Sequence, residues 1–142
     1  MKVFDRCDGV LVVLEPGEKI MESLKRVVEE KDIRSGFLHG IGAGKDFTLG
    51  YYDLEKRDYV KKEFPEEYEI TSLMGNVGVL DGEPILHIHI TLSDNQFRAF
   101  GGHLFEGTIT GTLEVFIFRD SGKIVRKMYP ERNLALIDGV ED

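Results

Sequence analysis

From Ile85 to Leu92 the chain alternates without a break: Leu86, Ile88, Ile90 and Leu92 take one parity, and Ile85, His87, His89 and Thr91 the other. Successive side chains of a strand point to opposite faces, so this stretch predicts a strand with one apolar face buried and two histidines on the other. Such a strand needs a sheet around it and a core behind it. The rest of the sequence supplies both. Val10 to Leu14 is an apolar run closed by Pro16-Gly17, a buried strand ending in a turn. A helix follows, with Ile20, Leu24, Val27 and Val28 at helical spacing, Glu18 and Glu22 near its positive end, and Lys19, Lys25, Arg26, Glu29 and Glu30 on the wet face. Short β segments come next: Gly36 to Ile41, Phe47 to Tyr52, Glu67 to Leu73 and Gly75 to Leu80. Phe97 to Leu104 returns beside the histidine strand, Thr108 to Phe118 is β-branched and aromatic, and Lys123 to Met128 is expected to lie beside it. One main helix among seven or eight strands reads as an α+β fold with a largely antiparallel sheet.

At 142 residues, the chain is sized for one compact domain spanning 1–142, with a core that needs no disulfide. The formal charge of −8 opposes a phosphate backbone or an anionic membrane, which argues against direct nucleic-acid binding. Basic residues at Lys56-Arg57, Lys61-Lys62 and Arg126-Lys127 are interleaved with or followed by acids such as Glu55, Asp58 and Glu63, as on a mixed solvated surface. Neither a secretory leader nor a membrane span is legible, and the single cysteine, Cys7, suits a reducing compartment; the expected location is the cytoplasm.

His87 and His89, at i and i+2 of one strand, share a face with bases roughly 7 Å apart. A loop of Asp94, Asn95 and Gln96 would pair Ser93 with Phe97, Thr91 with Ala99, His89 with Gly101 and His87 with His103. The loop length must be odd for His103 to join the face, because a one-residue slip sends a side chain to the other side. Three neutral imidazoles with one open position are a ligand set of catalytic zinc sites, and imidazole also suits nickel, copper and iron. The alternative is three hydrogen-bonded histidines on a half-exposed sheet. Glu114, which interrupts an apolar strand, is a candidate base or fourth ligand, or else an exposed or interfacial acid. The Gly40, Gly42, Gly44, Lys45 run lacks the following helix of a phosphate loop. His39 is expected outside the metal cluster, and Cys7 as a small filler.

Leu11 to Glu18, Gly36 to Ala43, Tyr68 to Gly75 and Gly101 to Leu104 together resemble the plant- and prokaryote-conserved domain in order and spacing, over nearly the whole chain. The resemblance implies a compact α+β fold, a homotrimer and, in prokaryotic members with the His-x-His and Gly-Gly-His pattern, a bound divalent metal, here on His87, His89 and His103. Plant relatives carry separate Arg-Gly-Arg-Pro hooks for the minor groove, and no such tetrapeptide occurs in this chain. The expected function is a zinc-binding homotrimer that acts on or senses a small molecule. The competing expectation is a regulatory or protein-interaction module with structural metal.

Overall fold

The alternating stretch is the middle of a strand that closes a ring. In chain order the elements are β1 (Lys2–Arg6), β2 (Gly9–Leu14), α1 (Ile20–Glu30), β3 (Gly36–Asp53), β4 (Asp58–Phe64), β5 (Tyr68–Leu80), β6 (Glu83–Ser93), β7 (Ala99–Arg119), β8 (Lys123–Tyr129) and β9 (Leu134–Glu141). These come from a computed structural model, which describes residues 1–142. All nine strands belong to one sheet. β3 pairs with both β5 and β7, and β6 also pairs with both, so these four strands form a closed circuit. β1 and β2 extend the sheet from β7, β4 from β3, and β8 and β9 from β5.

Closure gives the sheet an inside and an outside. Leu86, Ile88, Ile90 and Leu92 of β6 point inward and join Leu38, Leu73, Val77, Leu104, Leu113, Val115 and Ile117 in the core. Ile20, Leu24, Val27 and Val28 of α1 are buried in the same cluster, as their spacing requires. Each such side chain contributes roughly 1.5–3 kcal/mol on burial. The N-cap residue, Lys19, makes no side-chain bond to the helix amides; Glu106 of β7 does so from across the fold, accepting from Met21 N at 2.8 Å and Glu22 N at 3.3 Å. A carboxylate there satisfies orphan donors and opposes the positive helix end.

The α+β fold with a largely antiparallel sheet is as expected, with nine strands for seven or eight because β1, β4 and β9 join it, and the segments differ because glycines that look like turns are not turns. Gly36 to Ile41 and Phe47 to Tyr52 are halves of one bulged strand, β3. Glu67 to Leu73 and Gly75 to Leu80 likewise merge in β5, and Phe97 to Leu104 with Thr108 to Phe118 in β7. A Cβ on Gly42 would stand 2.1 Å from Thr112 O, and one on Gly75 2.1 Å from His87 O. These glycines permit close backbone approach within a strongly curved sheet. The expected return of Lys123 to Met128 beside Thr108 to Phe118 is corrected: β8 pairs antiparallel with β9 and, at Val79 and Leu80, parallel with β5.

Candidate metal centre

The outward face of β6 meets the first half of β7. His89 lies directly opposite His103, Thr91 opposite Gly101 and Ser93 opposite Ala99. The expected pairing of His87 with His103 is therefore displaced by two residues, and Gly101 does not face His89. The connection is longer than three residues because Asp94 ties it off: its Oδ1 accepts from Gln96 N and Arg98 N, and its Oδ2 from Arg98 Nε. Phe97 takes a left-handed conformation at φ 61° within this loop. A two-residue displacement keeps every side chain on its original face, so the cluster survives it.

His87, His89 and His103 each offer a nitrogen, and these atoms all lie within 4.8 Å of one another. Ring centroids are separated by 5.1 Å for His87 and His89, 5.3 Å for His87 and His103, and 5.7 Å for His89 and His103. Tetrahedral zinc with bonds near 2.05 Å needs nitrogens about 3.3 Å apart, a contraction within reach of small side-chain rotations. The three residues could thus hold a divalent ion. His89 is exposed while His87 and His103 are half-buried, so the group opens to solvent on the His89 side.

Its surroundings include β4, which the sequence did not disclose, and β8, a strand that was expected but beside a different neighbour. From β4, Tyr59 stacks its ring on His103 at 4.7 Å, and its hydroxyl lies 3.5 Å from His103 Nδ1. Phe105 packs edge-on against both His103 at 4.9 Å and Tyr59 at 5.2 Å and carries the Lys61 ammonium 4.0 Å above its ring. From β8, Arg126 Nη2 lies 3.3 Å from His87 Nδ1 and donates to Asn76 Oδ1 at 2.8 Å, while Nη1 donates to Ala135 O at 2.8 Å. Tyr59 was hidden in a run of charges, where only the alternation Tyr59, Lys61, Glu63 hints at a strand. Arg126 was expected on the solvated surface with Lys127; it is instead buried, because its side chain turns back under the β8–β9 hairpin to Asn76 and Ala135.

Burial, followed by the neighbouring His87, His89 and Lys61, brings the His103 pKa down to about 4. Burial also lowers His87, helped by Arg126 and then His89. Both imidazoles are therefore neutral at neutral pH, with the lone pair a metal requires. Burial raises the Tyr59 phenol, which keeps its proton.

The other sequence candidates lie elsewhere. Glu114 is exposed on the second half of β7, opposite Val13 and Ile41, and does not join the three-histidine group. His39 is stacked over Phe116 and Phe118, each at 5.8 Å, also outside the group. Cys7 is exposed rather than a buried filler, since it sits in the turn between β1 and β2.

Comparison with known proteins gives consistent results. A metal-containing protein from Archaeoglobus fulgidus superposes with a TM-score of 0.83 at 34% identity, covering 96% of this chain and 99% of that one. A plant- and prokaryote-conserved protein from Pyrococcus horikoshii gives 0.84 at 33% identity, covering 92% and 91%. A Bacteroides thetaiotaomicron protein provisionally named for DNA binding gives 0.93 at 29% identity, covering 96% of each chain. Among curated proteins, the bifunctional protein GlmU of Synechococcus sp. (strain JA-3-3Ab) is 31% identical over 109 residues, 76% of this chain. The chain spans only 16% of that relative's length. The Plants and Prokaryotes Conserved (PCC) domain matches residues 1–119, and the chain belongs to that family.

Proposed function

We propose that this protein binds one divalent metal ion, zinc before nickel, copper or iron, on His87, His89 and His103, and uses that centre to act on or sense a small molecule. The observation that carries the reading is the convergence of three imidazoles, two of them held neutral, on a face open to solvent. No carboxylate or thiolate joins them, so a fourth position stays available to an exogenous ligand. The metal-containing relative from Archaeoglobus fulgidus supports the same reading. Zinc held this way would polarise an oxygen-bearing ligand as a Lewis acid. Tyr59, protonated and next to His103, is placed to donate a hydrogen bond to such a ligand. Elemental analysis of untagged protein, with zinc, cobalt and nickel titrations of stripped protein, tests the reading. One ion per chain is expected, and no uptake of any of the three refutes it.

The same outward face supports assembly as a homotrimer. Phe37, Ile41 and Met74 are 55%, 60% and 60% exposed, and with Phe116 they form an apolar area across β5, β3 and β7. Contiguous apolar surface of this kind is ordinarily covered by a partner, here a second copy of the chain. It also favours the alternative reading, a protein-interaction module whose metal merely fixes the hairpin. An exchangeable ligand on the bound ion separates the two. No helix is long and apolar enough to cross a membrane, and we place the protein in the cytoplasm. The relatives provisionally named for DNA binding keep nucleic acid open to test, but the net charge of −8 argues against tight binding.

A further inference from the structure

We propose that the ligand of the histidine site carries an oxyanion, a carboxylate or a phosphate, and that Arg126 is the residue that holds it. The inference rests on the reading of the three histidines as a metal site and names the chemistry of what binds there.

Arg126 is only 6% exposed, yet none of the chain's ion pairs includes it. Its fixed partners are neutral acceptors, Asn76 Oδ1 and Ala135 O, and its buried Nε–H has no partner at all. A guanidinium stays charged at any physiological pH, and a buried charge is normally paired. Other cations also lack a carboxylate, but Arg126 is the one buried Lys or Arg among 18, where water cannot take the partner's place. The charged side chains beside the group are cations, Arg126 against His87 and Lys61 above the Phe105 ring that packs on His103.

The contact with His87 adds a chemical constraint. A neutral imidazole has one N–H and one lone pair. While His87 Nδ1 accepts from Arg126 Nη2, its Nε2 must carry the proton and cannot ligate a metal. If His87 ligates through Nε2, the proton moves to Nδ1 and two donors face each other. If it ligates through Nδ1, the ion takes the lone pair that Arg126 was using. Either way, metal binding frees the Arg126 Nη2–H and sets a dication beside a guanidinium. An oxyanion satisfies both consequences, accepting from Arg126 with one oxygen and meeting the ion with another. Metal and oxyanion should therefore bind with positive coupling.

The test titrates inorganic phosphate and, separately, acetate into cobalt-loaded and metal-free protein, following heat and the visible cobalt spectrum. The wild type should bind at least one of the two anions, shift its cobalt bands, and bind at least tenfold more weakly without metal. Arg126→Met should keep one ion per chain and weaken the anion at least tenfold, with Arg126→Lys in between. Metal content is measured on every sample, so failure of the metal reading is seen separately. If no metal binds, Arg126-dependent anion binding to the metal-free protein would still support Arg126 as the anion residue, and its absence overturns that role. Equal anion affinity in wild type and a metal-retaining Arg126→Met overturns the proposal and leaves Arg126 as a strut between β5 and β9. So does a metal-loaded wild type that binds neither anion. Should Arg126→Met not fold, the wild-type comparison with and without metal decides alone: equal affinities in the two states refute the coupling.

Discussion

Replacing His103 by alanine should destabilise metal-free protein at pH 7.5 and lose much or all of that penalty at pH 5. The imidazole packs against both Tyr59 and Phe105 with centroids at 4.7 and 4.9 Å, so its removal at pH 7.5 forfeits aromatic contacts of about 1–2 kcal/mol. The same burial lowers its pKa from the ordinary 6.5 to about 4. Between those values the unfolded chain binds the proton and the folded chain does not. This contribution is therefore whole above 6.5 and is lost as pH falls toward 4. At pH 5 the full shift corresponds to roughly 2 kcal/mol, which solvent screening of a half-exposed ring reduces to about 1 kcal/mol. The wild type suffers this loss and His103→Ala does not, so their stabilities should converge. Urea unfolding of both proteins in chelator at the two pH values measures it. A deficit that stays constant or widens at pH 5 refutes the claim that His103 is held neutral by its surroundings.

Four further outcomes are expected. With zinc present at pH 7.5, His87→Ala, His89→Ala and His103→Ala should each lose the bound ion while staying folded, whereas His39→Ala should keep wild-type metal content; elemental analysis beside thermal unfolding reads both. Glu106→Ala removes the acceptor for the Met21 and Glu22 amides and should cost about 1–2 kcal/mol, a fall of roughly 3–6 °C in midpoint, with Glu106→Gln recovering part of it. Light scattering should give the mass of a trimer for the wild type and a smaller species for Phe116→Glu, which sets a charge in the exposed apolar area; a monomeric wild type at micromolar concentration would count against the assembly. Duplex DNA in a salt-controlled binding assay should be held weakly or not at all near physiological salt, and tight sequence-selective binding would overturn the charge argument.

The histidine site was legible because strand alternation is a local property. The parity of His87 and His89 follows from the apolar residues between them, and His103 needed only an odd-length loop. Which rung it occupies depends on Asp94 closing the loop onto Arg98, a side-chain choice that alternation does not encode. The helix was legible for the same reason, from Ile20, Leu24, Val27 and Val28. Strand lengths were not, since Gly42 and Gly75 have the composition of turns and the role of contact points, and only the neighbouring backbone distinguishes the two. Tyr59 and Arg126 were missed because their importance is tertiary. Each sits in a short, charge-rich strand that acquires an inside and an outside only once it is added to the ring.

The histidines lie within residues 1–119, the part matched by the family domain, but Arg126 comes from β8 beyond it. β8 meets β5 at only two parallel rungs, Val79 with Val125 and Leu80 with Arg126. The Arg126 side chain adds to that junction by bonding Asn76 on β5 and Ala135 on β9. The residue that presents positive charge to His87 is therefore also one that fastens the C-terminal hairpin to the ring. On the proposed function, metal affinity would depend on three imidazoles whose positions the β6–β7 pairing sets, and the charge offered to a ligand on how the hairpin seats. A substitution in β9 near Ala135 should accordingly alter oxyanion affinity while leaving metal stoichiometry unchanged, a separation that a single preassembled pocket would not permit.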